Sequence, residues 1–246
     1  MTSRSETLAN KSVLITGANR GLGKALAIEY ASHGCALHLV ARSAQDLVPV
    51  TEEIARLYPS TFVHPWECNL SNTQEILSFC DSLLAHFSFD VDILINCAGV
   101  FPVNTLSDTS LEEYEHCMAV NVTAPFLLMR EFSPGMAARG WGRIINIASS
   151  SAYGGGPKTS VYCAAKHALL GFSRSLYKEL KEYGVRVQCI SPGSIQTEMG
   201  RDVEAMGQAY DTFMTPAEVA EYIAYNSSFD GNLIAEEVRL NRVFIQ

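Results

Sequence analysis

Lys11-Ser12-Val13-Leu14-Ile15-Thr16-Gly17-Ala18-Asn19-Arg20-Gly21-Leu22-Gly23 is the run that decides the fold. Its first half is a short apolar, β-branched stretch that stops at glycine, which reads as a buried strand. A helical pattern then runs from Leu22 to about His33 and stops at Gly34. A second strand, Cys35 to Val40, follows at once. Strand, glycine turn, helix and strand within about thirty residues make a βαβ unit, and such units imply a parallel sheet.

The alternation continues downstream. Ala44 to Leu57 reads as a helix with Pro49 in its first turns, where a missing N–H is tolerated. Thr61 to Glu67 is a third strand, Ser71 to His86 a helix capped by Ser71, and Val91 to Asn96 a fourth strand. A long helical stretch from Leu111 to Arg139, bent near Pro125, leads to a fifth strand over Arg143 to Ala148. Ser160 to Tyr183 is a helix ended by Gly184, and Val185 to Ile190 a sixth strand. Thr215 caps a helix over Pro216 to Tyr225, and Val238 and Leu240 mark a last short strand. Residues 194–214 are poor in large apolar side chains, and read equally as a mobile segment over a site and as a surface connection. No low-complexity linker divides the chain. The expectation is one α/β domain over residues 1–246, a doubly wound parallel sheet (Rossmann fold) of about seven strands. Its core spans about 11–193, with 194–214 as a candidate lid and 215–246 as a closing helix and strand. Its ligand belongs at the carboxyl ends of the strands.

Composition narrows the function. A chain of 246 residues with 48% hydrophobic content has enough apolar surface for a full core. The net charge of −8, without a run of lysine or arginine, disfavours nucleic acid and anionic membranes as partners. Met1 to Asn10 is polar, and no apolar run reaches spanning length, so a soluble cytoplasmic protein is expected. Seven scattered cysteines without a Cys-x-x-Cys read as reduced thiols, and the six histidines show no ligand spacing, so no metal is expected.

Gly17, Gly21 and Gly23 open a helix directly after a strand. Glycines let the backbone approach a pyrophosphate, and the helix N-terminus supplies free N–H groups and a positive dipole. An acid at the tip of the second strand would hold a ribose 2′-hydroxyl. Here the tip is Leu39-Val40-Ala41-Arg42-Ser43. Arg42, with Arg20 from the glycine turn, suits a 2′-phosphate, so NADP(H) is expected over NAD(H). Further along, Tyr162 and Lys166 stand four residues apart, on one face of a helix. A phenol with a pKa near ~10 is drawn down by a neighbouring ammonium. The pair is therefore a candidate acid/base device for carbonyl chemistry.

These motifs, in this order, resemble the short-chain dehydrogenase/reductase family, including its 3-oxoacyl carrier-protein reductases. The resemblance runs from Lys11 to about Thr197 and rests on six motifs: Thr16 to Gly23, Asn96-Cys97-Ala98-Gly99, Asn121, Ser149, Tyr162/Lys166 and Pro192-Gly193. It implies that Tyr162 is the general acid, that Lys166 lowers its pKa and holds the nicotinamide ribose, and that Ser149 donates to the substrate carbonyl oxygen. It implies that Asn121 organises a relay water near Lys166. Gly17, Asn19, Arg20, Gly21, Leu22, Gly23, Arg42, Asn69, Leu70, Asn96, Ala98, Gly99, Pro192, Gly193 and Thr197 are the implied cofactor contacts, together with Tyr162 and Lys166. Phe101, Val103, the Ala152–Pro157 loop and the segment after Gly193 are expected to form the substrate pocket. A homodimer or homotetramer built on the two long helices is implied as well.

Three departures stand out. Asn69 takes the place of the usual Asp, with its carbonyl oxygen available to an adenine amino group. Cys97 replaces an Asn, and Glu236 to Arg242 lacks the Asp-Gly-Gly ending of many fatty-acid-synthesis members, which weakens 3-oxoacyl carrier-protein reduction as the activity. The implied function is an NADP(H)-dependent oxidoreductase that reduces a ketone, an aldehyde or a 3-oxoacyl thioester. The alternatives are the same enzyme working as an alcohol dehydrogenase, and a non-catalytic NADP(H)-binding sensor or scaffold.

Overall fold

In the computed structural model, which describes residues 7–86 and 91–243, the opening run folds as read. β1 (Ser12–Thr16) is buried along its whole length, and α1 (Gly21–Ser32) leaves directly from the glycine turn. β2 (Ala36–Ala41) returns parallel to β1, with Ile15 beside Leu39. A 3₁₀ turn over Ala44–Leu47 leads into α2 (Val48–Leu57), with Pro49 in its first turn. β3 (Val63–Glu67), α3 (Thr73–His86), β4 (Ile93–Asn96), α4 (Leu111–Met118), α5 (Ala124–Arg139) and β5 (Gly142–Ile147) follow. α6 (Ser160–Leu180), β6 (Val185–Pro192), α7 (Glu198–Ala205), α8 (Pro216–Ser227) and β7 (Glu237–Leu240) complete the described chain.

The seven strands form one parallel sheet in the order β3-β2-β1-β4-β5-β6-β7. The order reverses between β1 and β4, and in an open parallel sheet the crevice at that reversal takes the ligand. Alternate strand residues feed two apolar layers. Val13, Ile15, Leu37, Leu39, Ile93 and Ile95 pack with Leu26, Tyr30, Ile54, Val219 and Ile223 of α1, α2 and α8. Leu14, Val40, Leu94, Ile144 and Val187 pack with Phe79, Leu83, Leu128 and Phe132 of α3 and α5. Helices on both faces explain why the central strands are apolar throughout rather than alternating.

The structure corrects several local expectations. α3 is capped by Asn72, not Ser71: the Asn72 Oδ1 accepts from the backbone N–H groups of Gln74 and Glu75, while Ser71 donates to Asn69. The irregularity in the long helix is a π-helical segment, Ala119–Thr123, just before Pro125. The proline lies in the first turn of α5, where it costs no hydrogen bond. Residues 194–214 are not a bare connection. They hold α7, whose N-cap Thr197 accepts from the N–H of Gly200 at 3.1 Å. The stop at Gly184 and the Thr215 cap of α8 follow the reading, and Glu218 completes a capping box that the reading did not include.

Candidate active site

A continuous cavity of about 830 Å³ opens at the carboxyl ends of the strands, between the glycine turn and α7. Its floor is set by the glycine turn. Gly17 has φ +67°, and a Cβ there would lie 2.9 Å from the Cα of Ala98. A Cβ on Gly23 would lie 2.1 Å from the carbonyl oxygen of Gly17. The turn and the start of α1 therefore close up only with glycine. No side chain caps the N-terminus of α1, and no acid stands in its first turn, so its free N–H groups and dipole are left for an anion.

Thr16, which the sequence reading left unassigned, ties the turn to the neighbouring strand tip. Its Oγ1 accepts from the N–H groups of both Cys97 and Ala98 at 3.0 Å and donates to the Ile95 carbonyl at 3.4 Å. Only its position as the polar end of an apolar strand hinted at such a role.

Gly17, Asn19, Arg20, Gly21, Leu22, Gly23, Arg42, Asn69, Leu70, Ala98, Gly99, Pro192, Gly193 and Thr197 all line the cavity, as do Ser149, Tyr162 and Lys166. Asn96 and Asn121 do not. Asn96 is turned beneath the strand tip, where its Nδ2 donates to the Oδ1 of Asn146, its register partner on β5, at 2.8 Å. Asn146 in turn donates to the Ser173 hydroxyl. The pleat decides this, because successive side chains leave a strand on opposite faces. At the β2 tip Arg42 is exposed as expected, but Asp46 lines the same end. Arg20 forms an ion pair with Glu198 at the start of α7. The Asn69 Oδ1 accepts from both the N–H and the hydroxyl of Ser71, so a purine amino group must compete for it.

Ser149, Asn121, Tyr162 and Lys166 are brought together by β5, α4, α5 and α6. Tyr162 is buried, close enough to Ser149 for the hydroxyl to favour its ionised form, and crossed by the Phe101 ring at 4.7 Å in a T-shaped contact. Lys166 donates from Nζ to the Ile147 carbonyl at 2.9 Å and lies 5.6 Å from the centre of the Tyr162 ring. Asn121 sits in the π-helical segment. Its Nδ2 donates to the carbonyls of Val100 and Cys117, both at 3.0 Å, and to the Cys117 Sγ at 3.3 Å. The Asn121 Oδ1 is buried without a hydrogen-bond partner. A Cβ on Gly99 would come within 2.9 Å of that oxygen and 3.7 Å of the Lys166 Nζ. Asn121 therefore stands behind Gly99 and faces the lysine through it.

The electrostatics reverse one expectation. Burial pushes the Tyr162 phenol up to about 12, against the lowering effect of the Ser149 hydroxyl. Burial also pulls Lys166 down to about 8, opposed by the nearby thiols of Cys97, Cys189 and Cys117. The ammonium, spent on Ile147 and itself desolvated, does not draw the phenol down. Tyr162 is thus a protonated donor at neutral pH.

The substrate end also differs in detail. Phe101 and Gly154 to Gly156 line the cavity, but Val103, Ala152, Tyr153 and Pro157 do not. The Tyr153 hydroxyl donates to the Glu237 carboxylate at 3.0 Å, and its ring lies under Arg239, so it anchors the loop to β7. His116 and Val120 line the cavity unforeseen, whereas Met199, Val203 and Met206 lie in the segment after Gly193 that was expected there. Among the described residues, no group of three or more His, Cys, Asp or Glu side chains has a metal-binding arrangement, and no helix is long and apolar enough to cross a membrane.

Comparison with known proteins agrees with this architecture. A family model described as short chain dehydrogenase matches residues 11–208. The chain is 35% identical over 190 residues to a D-beta-hydroxybutyrate dehydrogenase of Rhizobium meliloti (strain 1021), covering 77% of this chain and 73% of that one. It is 32% identical over 238 residues to a 3-oxoacyl-(acyl-carrier-protein) reductase of Aquifex aeolicus (strain VF5), covering 94% and 95%. The crystal structure of a metagenomic short-chain oxidoreductase in complex with NADP superposes with a TM-score of 0.84 at 30% identity, over 97% of this chain and 100% of that one.

Proposed function

The chain belongs to the short-chain dehydrogenase family of oxidoreductases, and from that premise we propose that it reduces a ketone or aldehyde carbonyl to an alcohol with NADPH. The observation that carries the reading is the buried, protonated Tyr162, beside Ser149 and Lys166, in the same cavity as the uncapped N-terminus of α1. The residues fit a dinucleotide: the glycine turn leaves no room for a Cβ, and the first N–H groups of α1 are free for a pyrophosphate. When bound, the nicotinamide supplies the hydride that the carbonyl carbon accepts.

The chain's own residues do the rest. Ser149 orients the carbonyl oxygen and stabilises its developing charge. Tyr162 donates its phenolic proton to that oxygen, and a phenol held near 12 has its proton in place at pH 7. Lys166, with a pKa near 8, takes up and passes on the replacement proton. The partnerless Asn121 Oδ1 accepts from the water that links Lys166 to solvent. The same groups in reverse oxidise a secondary alcohol.

Arg42 binds the 2′-phosphate in this reading, supported by the absence of an acid at the β2 tip; Asp46 at the same end works against it. Residues 194–214 act as the lid of a single-domain enzyme. The exposed Phe126 and Phe172 rings, 5.9 Å apart on α5 and α6, support pairing of copies through those helices. Arg42→Ala tests the phosphate assignment. The expected result is at least a tenfold loss of NADPH affinity with NADH affinity unchanged; equal NADPH affinity refutes it.

A further inference from the structure

The substrate end of the cavity has a chemistry of its own. Met199, Val203 and Met206 stand at spacings of four and three residues on and just beyond α7, which places them on one helical face. All three line the cavity, Met199 and Val203 half-buried and Met206 exposed at the rim, while Arg201, Asp202 and Ala205 are exposed. Phe101 lines the same cavity and touches the Tyr162 ring, so an aromatic wall adjoins the reacting group.

The charged residues of the cavity are committed elsewhere. Lys166 is turned to the Ile147 carbonyl, Glu198 is paired with Arg20 of the glycine turn, and Arg42 and Asp46 stand at the β2 end. Among the described residues, the one titratable side chain at the substrate end besides Tyr162 is His116, which is exposed. A carboxylate there would meet the hydroxyls of Ser150, Ser151 and Thr159 but no buried cation, and a buried charge without a charged partner is strongly disfavoured. Thioether side chains adapt to irregular apolar shapes and make favourable contacts with aromatic rings.

Resting on the proposed carbonyl reduction, we infer that the substrate is an uncharged ketone with a compact ring body, held between Phe101 and the Met199/Val203/Met206 stripe, and that carboxylate-bearing 3-oxo acids are excluded. This separates the chain from what the name of its hydroxybutyrate-oxidising relative would suggest.

The test uses the NADPH-loaded protein and three probes: acetophenone, ethyl 3-oxobutanoate and 3-oxobutanoate. The expected order of kcat/KM is acetophenone above the ester, and the ester at least tenfold above the acid, since ester and acid differ in charge on one frame. Met199→Ala/Met206→Ala should raise the KM for acetophenone at least fivefold with a smaller change in kcat. Val203→Arg, which supplies the missing cation, should narrow the ester-to-acid gap at least fivefold. Equal or better turnover of the acid by the unmodified protein overturns the exclusion of charge, and an ester that outperforms acetophenone overturns the ring.

Equilibrium binding of acetophenone to the loaded protein separates the two levels. Binding weakened at least fivefold in the double variant, without turnover of any probe, upholds the subsite and refutes the reductase reading. No binding and no turnover overturns both.

Discussion

Thr16→Val isolates the tie that positions the cofactor side of the site. Valine keeps the shape of threonine and puts a methyl where Oγ1 now accepts the N–H groups of Cys97 and Ala98, each at 3.0 Å. Thr16 is 2% exposed, so no water replaces the hydroxyl from that side. A buried donor stripped of its partner costs about 1–3 kcal/mol. Cys97 and Ala98 are only half-buried and line the cavity, so solvent relieves part of that cost and the low end applies to each. The 3.4 Å bond to Ile95 is too long to add much. The expected loss is about 2 kcal/mol, or a Tm lower by roughly 4–8 °C for a chain of this size. Urea denaturation followed by tryptophan fluorescence measures it. Thr16→Ser, which keeps the hydroxyl and loses one buried methyl, should cost about 1 kcal/mol and retain NADPH affinity, whereas the valine variant should lose affinity as the Ala98-Gly99 turn loosens. A valine variant within about 0.5 kcal/mol of the parent, or one with unchanged NADPH affinity, would refute the reasoning.

Further predictions concern packing and charge. Gly23→Ala should abolish NADPH binding and cost at least about 2 kcal/mol, because the new Cβ would meet the Gly17 carbonyl oxygen at 2.1 Å; calorimetric titration and thermal melting check both. Arg143→Met should lower stability by about 1–2 kcal/mol, since the buried guanidinium donates to the Ser227 and Phe229 carbonyls while the half-exposed Asp230 carboxylate is resolvated, and a denaturant midpoint unchanged from the parent would contradict this. Alkaline pH should destabilise the fold. Burial raises Cys35, Cys68 and Cys80 to about 12, so the stability they lend is complete below the unfolded thiol value near ~8.5 and is lost as pH rises from there toward 12. Lys166 works in the opposite sense. Its folded value near 8 lies below the unfolded ~10.4, so stability rises with pH between the two, and Lys166→Met should steepen the net alkaline loss in that window.

The order of strands and helices was legible because each strand is covered on both faces and reads as a short apolar run, and each helix is punctuated by glycine or a cap. Val13 to Ile15 and Ile144 to Ile147 carry that signal. What failed was local competition between neighbouring polar residues. Asn72 outbids Ser71 as a cap because its longer side chain reaches two N–H groups, and a π-helical segment over Ala119–Thr123 has no compositional mark. α7 was hidden because half of it faces solvent and half a cavity, so its apolar residues are few.

That the glycine turn, Tyr162 and Lys166 share one cavity was legible from type and spacing, and that Ser149 joins them from the family resemblance. Asn96 was misplaced because its face depends on the pleat at the strand tip, and Tyr153 because Glu237 of a distant strand claims its hydroxyl. The sign of the Tyr162 shift follows from burial, which no spacing reveals.

The most direct test of the central claim follows deuterium from the nicotinamide C4 of labelled NADPH into the product of an acetophenone incubation, with Tyr162→Phe in parallel. The account predicts an alcohol labelled on the carbinol carbon from the parent protein. It predicts at least a hundredfold less from the variant, with NADPH binding retained, the scale of a lost general acid. An unlabelled alcohol, or a phenylalanine variant as fast as the parent, would contradict it.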